Sequence, residues 1–134
     1  FAQIHSPVPG ISLSHSNALV ESISNKGPFV RFVFGLSNDD SLNHHSSKMH
    51  PDSQLFFNTK NPKLFLRIER QTTSPIQELN SSLFTIKLYV HDVSSLSEER
   101  KYVLSEFIES MTSEQLQYKG LSKDKDAIIS FLKQ

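Results

Sequence analysis

The alternation in Leu83-Phe-Thr-Ile-Lys-Leu-Tyr-Val90 constrains the fold more than any other stretch of the chain. Phe84, Ile86, Leu88 and Val90 fall on one side of an extended backbone, with Thr85, Lys87 and Tyr89 on the other. That is the period-2 signature of a half-buried strand. Leu64-Phe-Leu-Arg-Ile-Glu-Arg70 repeats it, with Leu64, Leu66 and Ile68 inward and Phe65, Arg67 and Glu69 outward. Between the two, Thr72-Thr-Ser-Pro75 and Glu78-Leu-Asn-Ser-Ser82 carry turn chemistry. The expectation is a pair of antiparallel strands joined by a long hairpin loop.

A helical period then takes over. Leu96, Val103, Leu104, Phe107, Ile108 and Met111 recur at helical spacing, predicting an amphipathic helix that packs one face on the sheet. Ser95 and Glu98 stand at capping-box spacing, and Glu98 and Glu99 put negative charge at the positive end of the helix dipole.

Upstream, residues 1–9, with Pro7 and Pro9, read as an irregular arm. Ile11-Ser-Leu-Ser14 and Ala18-Leu-Val-Glu-Ser-Ile23 are short strand candidates, and Asn25-Lys-Gly-Pro28 is a turn signal. Phe29-Val-Arg-Phe-Val-Phe34, aromatic and β-branched, predicts a strand with Val30, Phe32 and Phe34 inward and Gly35 at its end or in a bulge. Residues 37–53 read as a mobile polar loop, and Gln54-Leu-Phe-Phe57 as another short strand. Residues 113–134 form a C-terminal extension, broken at Gly120. A short helix follows, carrying Ala127, Ile128, Phe131 and Leu132 and capped by Ser122 or Asp124. Strands run together and helices follow, which favours an α+β fold with an antiparallel sheet.

At 134 residues the chain is expected to form a single domain, 1–134, with a core of its own. Having no cysteine, it has no disulfide, thiolate metal site or cysteine nucleophile. Fourteen basic residues balance fourteen acidic ones, so no global field recruits nucleic acid or an anionic membrane. No apolar run approaches the roughly 18 residues that a spanning helix needs. Phe1 in first place points to a processed chain or a piece of a longer one. The expected setting is intracellular, nuclear or cytoplasmic. Serine, about one residue in six, suits long polar loops and offers phosphorylation sites.

Candidate chemistry is sparse. Asp39, Asp40, His44, His45, His50 and Asp52 are the right residue types for zinc or another transition metal, but their spacing matches no metal motif. A solvated loop explains them as well, and no metal or cofactor is expected. Gly-x-Ser-x-Gly and glycine-rich phosphate loops are missing from a chain with four glycines. His91-Asp92 reads as a polar strand end. No enzyme is legible. Lys63, Phe65, Arg67, Lys87 and Tyr89 would share a sheet face if the two strands pair. Aromatics beside basic residues suit a protein interface better than base readout, because no RNA-binding signature accompanies them.

In order of elements the chain resembles a pleckstrin-homology-type module, of the kind in the core TFIIH subunit. The likeness rests on Gly10-Ile-Ser-Leu13, Lys63-Leu-Phe-Leu-Arg-Ile68, Leu83-Phe-Thr-Ile-Lys87 and Glu98-Glu-Arg-Lys-Tyr-Val-Leu-Ser-Glu-Phe-Ile108. It covers roughly residues 10–112. It implies a PH-like half-barrel or sandwich closed by one long C-terminal amphipathic helix. It also implies a non-enzymatic surface for acidic segments of other proteins, with Lys63, Arg67 and Lys87 as the matching basic residues. A lipid-binding version needs a basic first hairpin, where this chain offers only Lys26 and Arg31.

The first expectation is therefore a docking module inside a larger assembly, binding protein partners but no specific nucleic acid and no membrane. The second is an assembly chaperone or scaffold subunit that pairs with a homologous small subunit. The third is a metal-dependent enzyme built on the histidine-rich loop.

Overall fold

A computed structural model describes residues 16–43 and 57–134. Among them are four α-helices and a three-stranded antiparallel sheet, giving an α+β fold. Helix α1 spans Ser16–Asn25, followed by strands β1 Phe29–Ser37, β2 Phe65–Ile76 and β3 Ser81–Asp92. Helices α2 Glu98–Glu109, α3 Ser113–Tyr118 and α4 Lys125–Leu132 complete the order, with single 3₁₀ turns at Gln77–Leu79 and Val93–Ser95. In the sheet, β2 lies between β1 and β3.

Several local expectations are corrected. Ala18–Ile23 is helical, not extended. Leu19, Val20 and Ile23 satisfy a helical period, and the β-branching of Val20 and Ile23 is what also suits a strand. β2 does not stop at Arg70 but runs on through Thr72-Thr-Ser-Pro75. Paired β-branched threonines outweigh the turn propensity of Ser and Pro there. The β2–β3 connection is consequently short: one 3₁₀ turn, then Asn80 in the left-handed region at φ 45°. β1 continues through Gly35 to Ser37. Ile11–Ser14 and Gln54–Phe56 lie outside the described residues.

The start of α2 also shifts. Ser97, not Ser95, is its N-cap and accepts a hydrogen bond from the Arg100 amide, while Ser95 belongs to the preceding 3₁₀ turn. That turn has its own cap: the Asp92 carboxylate accepts from both the amide and the hydroxyl of Ser94, at 2.8 and 2.7 Å.

The chain divides into two compact units, one of Phe1–Val33 and Ile68–Leu88, the other of Phe34–Arg67 and Tyr89–Gln134. The second unit holds the hydrophobic core. Leu64, Val93, Ile108, Leu121, Ile128 and Leu132 are almost wholly buried, with Phe57, Leu104, Met111, Leu116 and Ile129 packed among them. α2 packs on α4. The backbone amide of Val93 donates to the Leu64 carbonyl, tying the end of β3 to the start of β2.

The C-terminal extension is part of this core. Thr112 and Gln115 form a reciprocal capping box at the start of α3. Gly120, at φ 70°, ends α3 in a Schellman turn, with Gly120 and Leu121 amides donating to the carbonyls of Gln117 and Leu116. That turn sends Leu121 back into the core beside Leu116.

The first unit is built differently. Among its described residues the buried ones are polar, Ser24 and Gln71, and no apolar side chain is fully covered.

Candidate functional site

The first unit is where the strands depart most from their expected burial. Alternation predicts Phe84 and Ile86 on the core face, yet they are 50% and 52% exposed. Val30 and Phe32 are exposed as well. Farther along the same strands, in the second unit, Phe34 packs against the core, and Tyr89 and Val90 are half-buried. Burial along these strands therefore follows position in the two units rather than the sequence alternation. Phe29, Leu79 and Leu83 add further exposed apolar surface there.

A polar relay crosses β1 and β2 in this unit. The Arg31 guanidinium donates through Nε to the Gln71 Oε1 at 2.6 Å, and the Gln71 amide donates to a Glu69 carboxylate oxygen at 2.7 Å. Hydrogen bonds at both ends of its amide therefore compensate the burial of Gln71. The same relay fixes Arg31 on the sheet.

The residues expected to form a docking face have distinct environments. Lys63 is exposed, with its ammonium 5.6 Å from the centroid of the Phe65 ring. Phe65 is buried, on the side of β2 expected to be wet, so that ring presents little surface of its own. Arg67 is half-buried, and its guanidinium donates to the backbone carbonyls of Ser41 and Leu42. These three and the half-buried Tyr89 belong to the second unit, whereas Lys87 is exposed in the first.

Of the histidine and carboxylate cluster, Asp39 and Asp40 are described. Asp39 Oδ1 accepts from the Ser41 amide at 2.7 Å, an Asx turn. His44, His45, His50 and Asp52 lie outside the described residues. Among the described residues no group of three or more His, Asp or Glu is placed to hold a metal ion. His91 is exposed near the end of β3. Asp92 beside it is held below the usual carboxylate range, first by the Ser94 hydroxyl and then by the Ser94 amide. No described helix is long and apolar enough to cross a membrane.

α2 shows a second group of exposed side chains. Leu104 and Ile108 are buried as expected, but Val103 and Phe107, of the same apolar stripe, are 60% and 55% exposed. Phe107 meets Phe34 edge to face at 5.0 Å between centroids. Tyr102, also exposed, lies beneath the Lys133 ammonium. Packing on α4 narrows the buried stripe to the Leu104, Ile108 and Met111 side of the helix.

A family model described as haem-dependent oxidative N-demethylase, alpha subunit-like, matches residues 1–129. The chain belongs to this family. No curated protein matches it. Membership overturns the likeness to a pleckstrin-homology module. Strand, strand, helix is an order that many α+β folds share, and order alone does not define topology. No spaced set of reactive residues in the sequence pointed to the family either.

Proposed function

We propose that this chain serves a haem-dependent oxidative N-demethylase-type system as an interaction module, docking another protein component through the apolar sheet surface of its first unit. The observation that carries the reading is the exposed pair Phe84 and Ile86 on β3, whose sequence alternation is that of a core face. Apolar side chains left exposed on a strand are the kind of surface that protein interfaces cover. The family description, an alpha subunit-like protein, supports a setting in which subunits associate. Lys87, exposed on the same strand, alternates to the opposite side from Phe84 and Ile86 and lies outside this contact.

The family name makes haem the group to test against the residues present. Iron in haem takes His, Cys, Met or Tyr as its protein ligand. Among the described residues the candidates are Tyr89, His91, Tyr102, Met111 and Tyr118. Met111 is packed in the core, Tyr89 is half-buried within strand β3, and His91 and the exposed Tyr102 and Tyr118 stand on open surface. The described residues do not fit the group, and no chemical step is derived through it.

The test is to purify the tagged chain from its native source and measure the mass of the complex by light scattering with identification of its components. The expected result is a stoichiometric complex containing a haem-dependent demethylase component, lost in Phe84→Ser/Ile86→Ser. A chain that is monomeric in its native extract, or a complex unchanged in the double variant, would sink the docking reading. A second reading, in which the chain itself catalyses oxidative demethylation, is favoured by the family name alone. It would show as oxidation of N-methyl amines by the purified chain loaded with haem.

A further inference from the structure

A haem site must meet two demands at one place: apolar surface that can enclose most of a flat macrocycle, and beside it a side chain able to ligate iron. Among the described residues, neither unit meets both. The first unit has open apolar surface, on Phe29, Val30, Phe32, Leu83, Phe84 and Ile86. Its described residues, 16–33 and 68–88, include no His, Cys, Met or Tyr. The second unit has all the described ligand types, but its core side chains are closed on one another.

Four of the five candidate residues also have a local reason not to serve. The Met111 side chain is 8% exposed in a core with Leu104, Ile108 and Leu116, so turning its sulfur outward would open a cavity. Tyr102 lies 5.9 Å from the Lys133 ammonium, which opposes the approach of a cationic ferric centre. Tyr118 ends the short helix α3 on open surface. His91 is exposed near the end of β3, where the adjacent Asp92 is engaged by Ser94 rather than orienting the imidazole.

We infer that the described framework of this chain supplies no axial ligand to haem iron. The inference rests on family membership for the relevance of haem, but not on the docking reading. Toward the cofactor this framework acts as a scaffold, and any ligand comes from other residues.

The experiment is a haemin titration of the purified full chain followed through the Soret band, repeated on His91→Ala, Met111→Leu, Tyr89→Phe, Tyr102→Phe and Tyr118→Phe, with circular dichroism as the check on folding. The expected result is either no Soret shift at all, or a shift whose midpoint changes less than about twofold in every variant. A folded variant that loses the shift, or whose Soret maximum moves to that of a different coordination state, would overturn the inference. Absence of any haemin uptake would support it and would also tell against catalysis by the chain alone, while leaving the docking reading to stand or fall on the mass of the native complex.

Discussion

The backbone amide of Phe57 donates to the Asp124 carboxylate at 3.0 Å, joining residues that are 67 apart in sequence. Asp124 stands at the N-cap position of α4 but makes no side-chain cap to that helix. Its carboxylate instead holds the backbone at Phe57, whose ring packs 5.3 Å from that of Phe131. Asp124→Ala would leave a partly buried N–H without an acceptor and is expected to cost about 1–2 kcal/mol. Asp124→Asn, which keeps an acceptor oxygen, should lose less than half of that. Urea denaturation of the two variants measures the difference. Equal losses would mean that the carboxylate acts through its charge at α4 rather than through Phe57.

Lys133 closes the other end of α4. Its ammonium lies 3.0 Å from Glu109 and 3.4 Å from Glu106, bringing α4 onto α2. Hydrogen bonding to Lys133, then its charge, holds Glu109 below its ordinary value of 4.5, while the same bond raises Lys133 above 10.5. The Glu109 contribution to stability is present above pH 4.5 and is lost as pH falls through the lower folded value. The Lys133 contribution is present below pH 10.5 and is lost as pH rises through the higher folded value. Lys133→Met should therefore lower the melting temperature most between those limits, with the gap to wild type closing at both extremes. Because the groups are solvent-exposed, the gap should also shrink in molar salt. A gap that is independent of both pH and salt would assign the effect to packing of the lysine stem on Tyr102.

Helix α3 has six residues, too few to persist without its ends. Thr112→Ala removes the hydroxyl that accepts from the Gln115 amide and should cost about 1 kcal/mol. Restoring an acceptor with Thr112→Ser should recover most of it. A Thr112→Ala variant as stable as wild type would show that the other half of the box, the Gln115 side chain accepting from the Thr112 amide, holds the turn alone.

Gly120 tests the other end. No atom lies within 4 Å of where a Cβ would stand, so Gly120→Ala meets no steric obstacle. What it meets is the positive φ of 70°, which costs a non-glycine residue about 1–2 kcal/mol. Gly120→Asn should cost less, since asparagine tolerates this region. Thermal denaturation that ranks Gly above Asn above Ala would mark a backbone effect, and any other order points to the packing of Leu121.

How far the sequence can be read depends on what each signal measures. Alternation places β3, and the helical period places α2, because both record only which side of an element is apolar. Neither records whether a covering layer exists. Phe84 and Ile86 carry a core-face pattern but stay exposed among the described residues, and Val103 and Phe107 fall outside the narrower strip that α4 buries. Turn chemistry misleads at Thr72–Pro75, where pairing in the central strand outweighs local preference. Helix α3 escapes a reading by periodicity although Thr112-Ser-Glu-Gln115 has capping-box spacing and Gly120 marks its end, because six residues hold too few apolar positions to show a period. Of the expected surface residues, Phe65 and Arg67 depend on which side of β2 is covered, and alternation is symmetric about that choice. The family is not legible in any spaced set of reactive side chains, since its identity lies in the whole pattern over residues 1–129.

Two isoleucines separate the closed unit from the open one. Ile108 is fully buried in the core with Leu104, Ile128 and Leu132, whereas Ile86 is 52% exposed on β3. Ile108→Ala removes buried methyl groups and leaves a cavity, for an expected loss of about 2–5 kcal/mol. Ile86→Ala in the isolated chain removes little contact and should cost less than about 1 kcal/mol. Within a native complex the order of importance should reverse for binding, because a residue idle in the monomer is then covered. Chemical denaturation of both variants alone, followed by recovery of each from its native extract, separates the two roles. If Ile86→Ala destabilises the isolated chain as severely as Ile108→Ala, the sheet surface of the first unit is covered by this chain itself, and a partner is not needed to explain its apolar alternation.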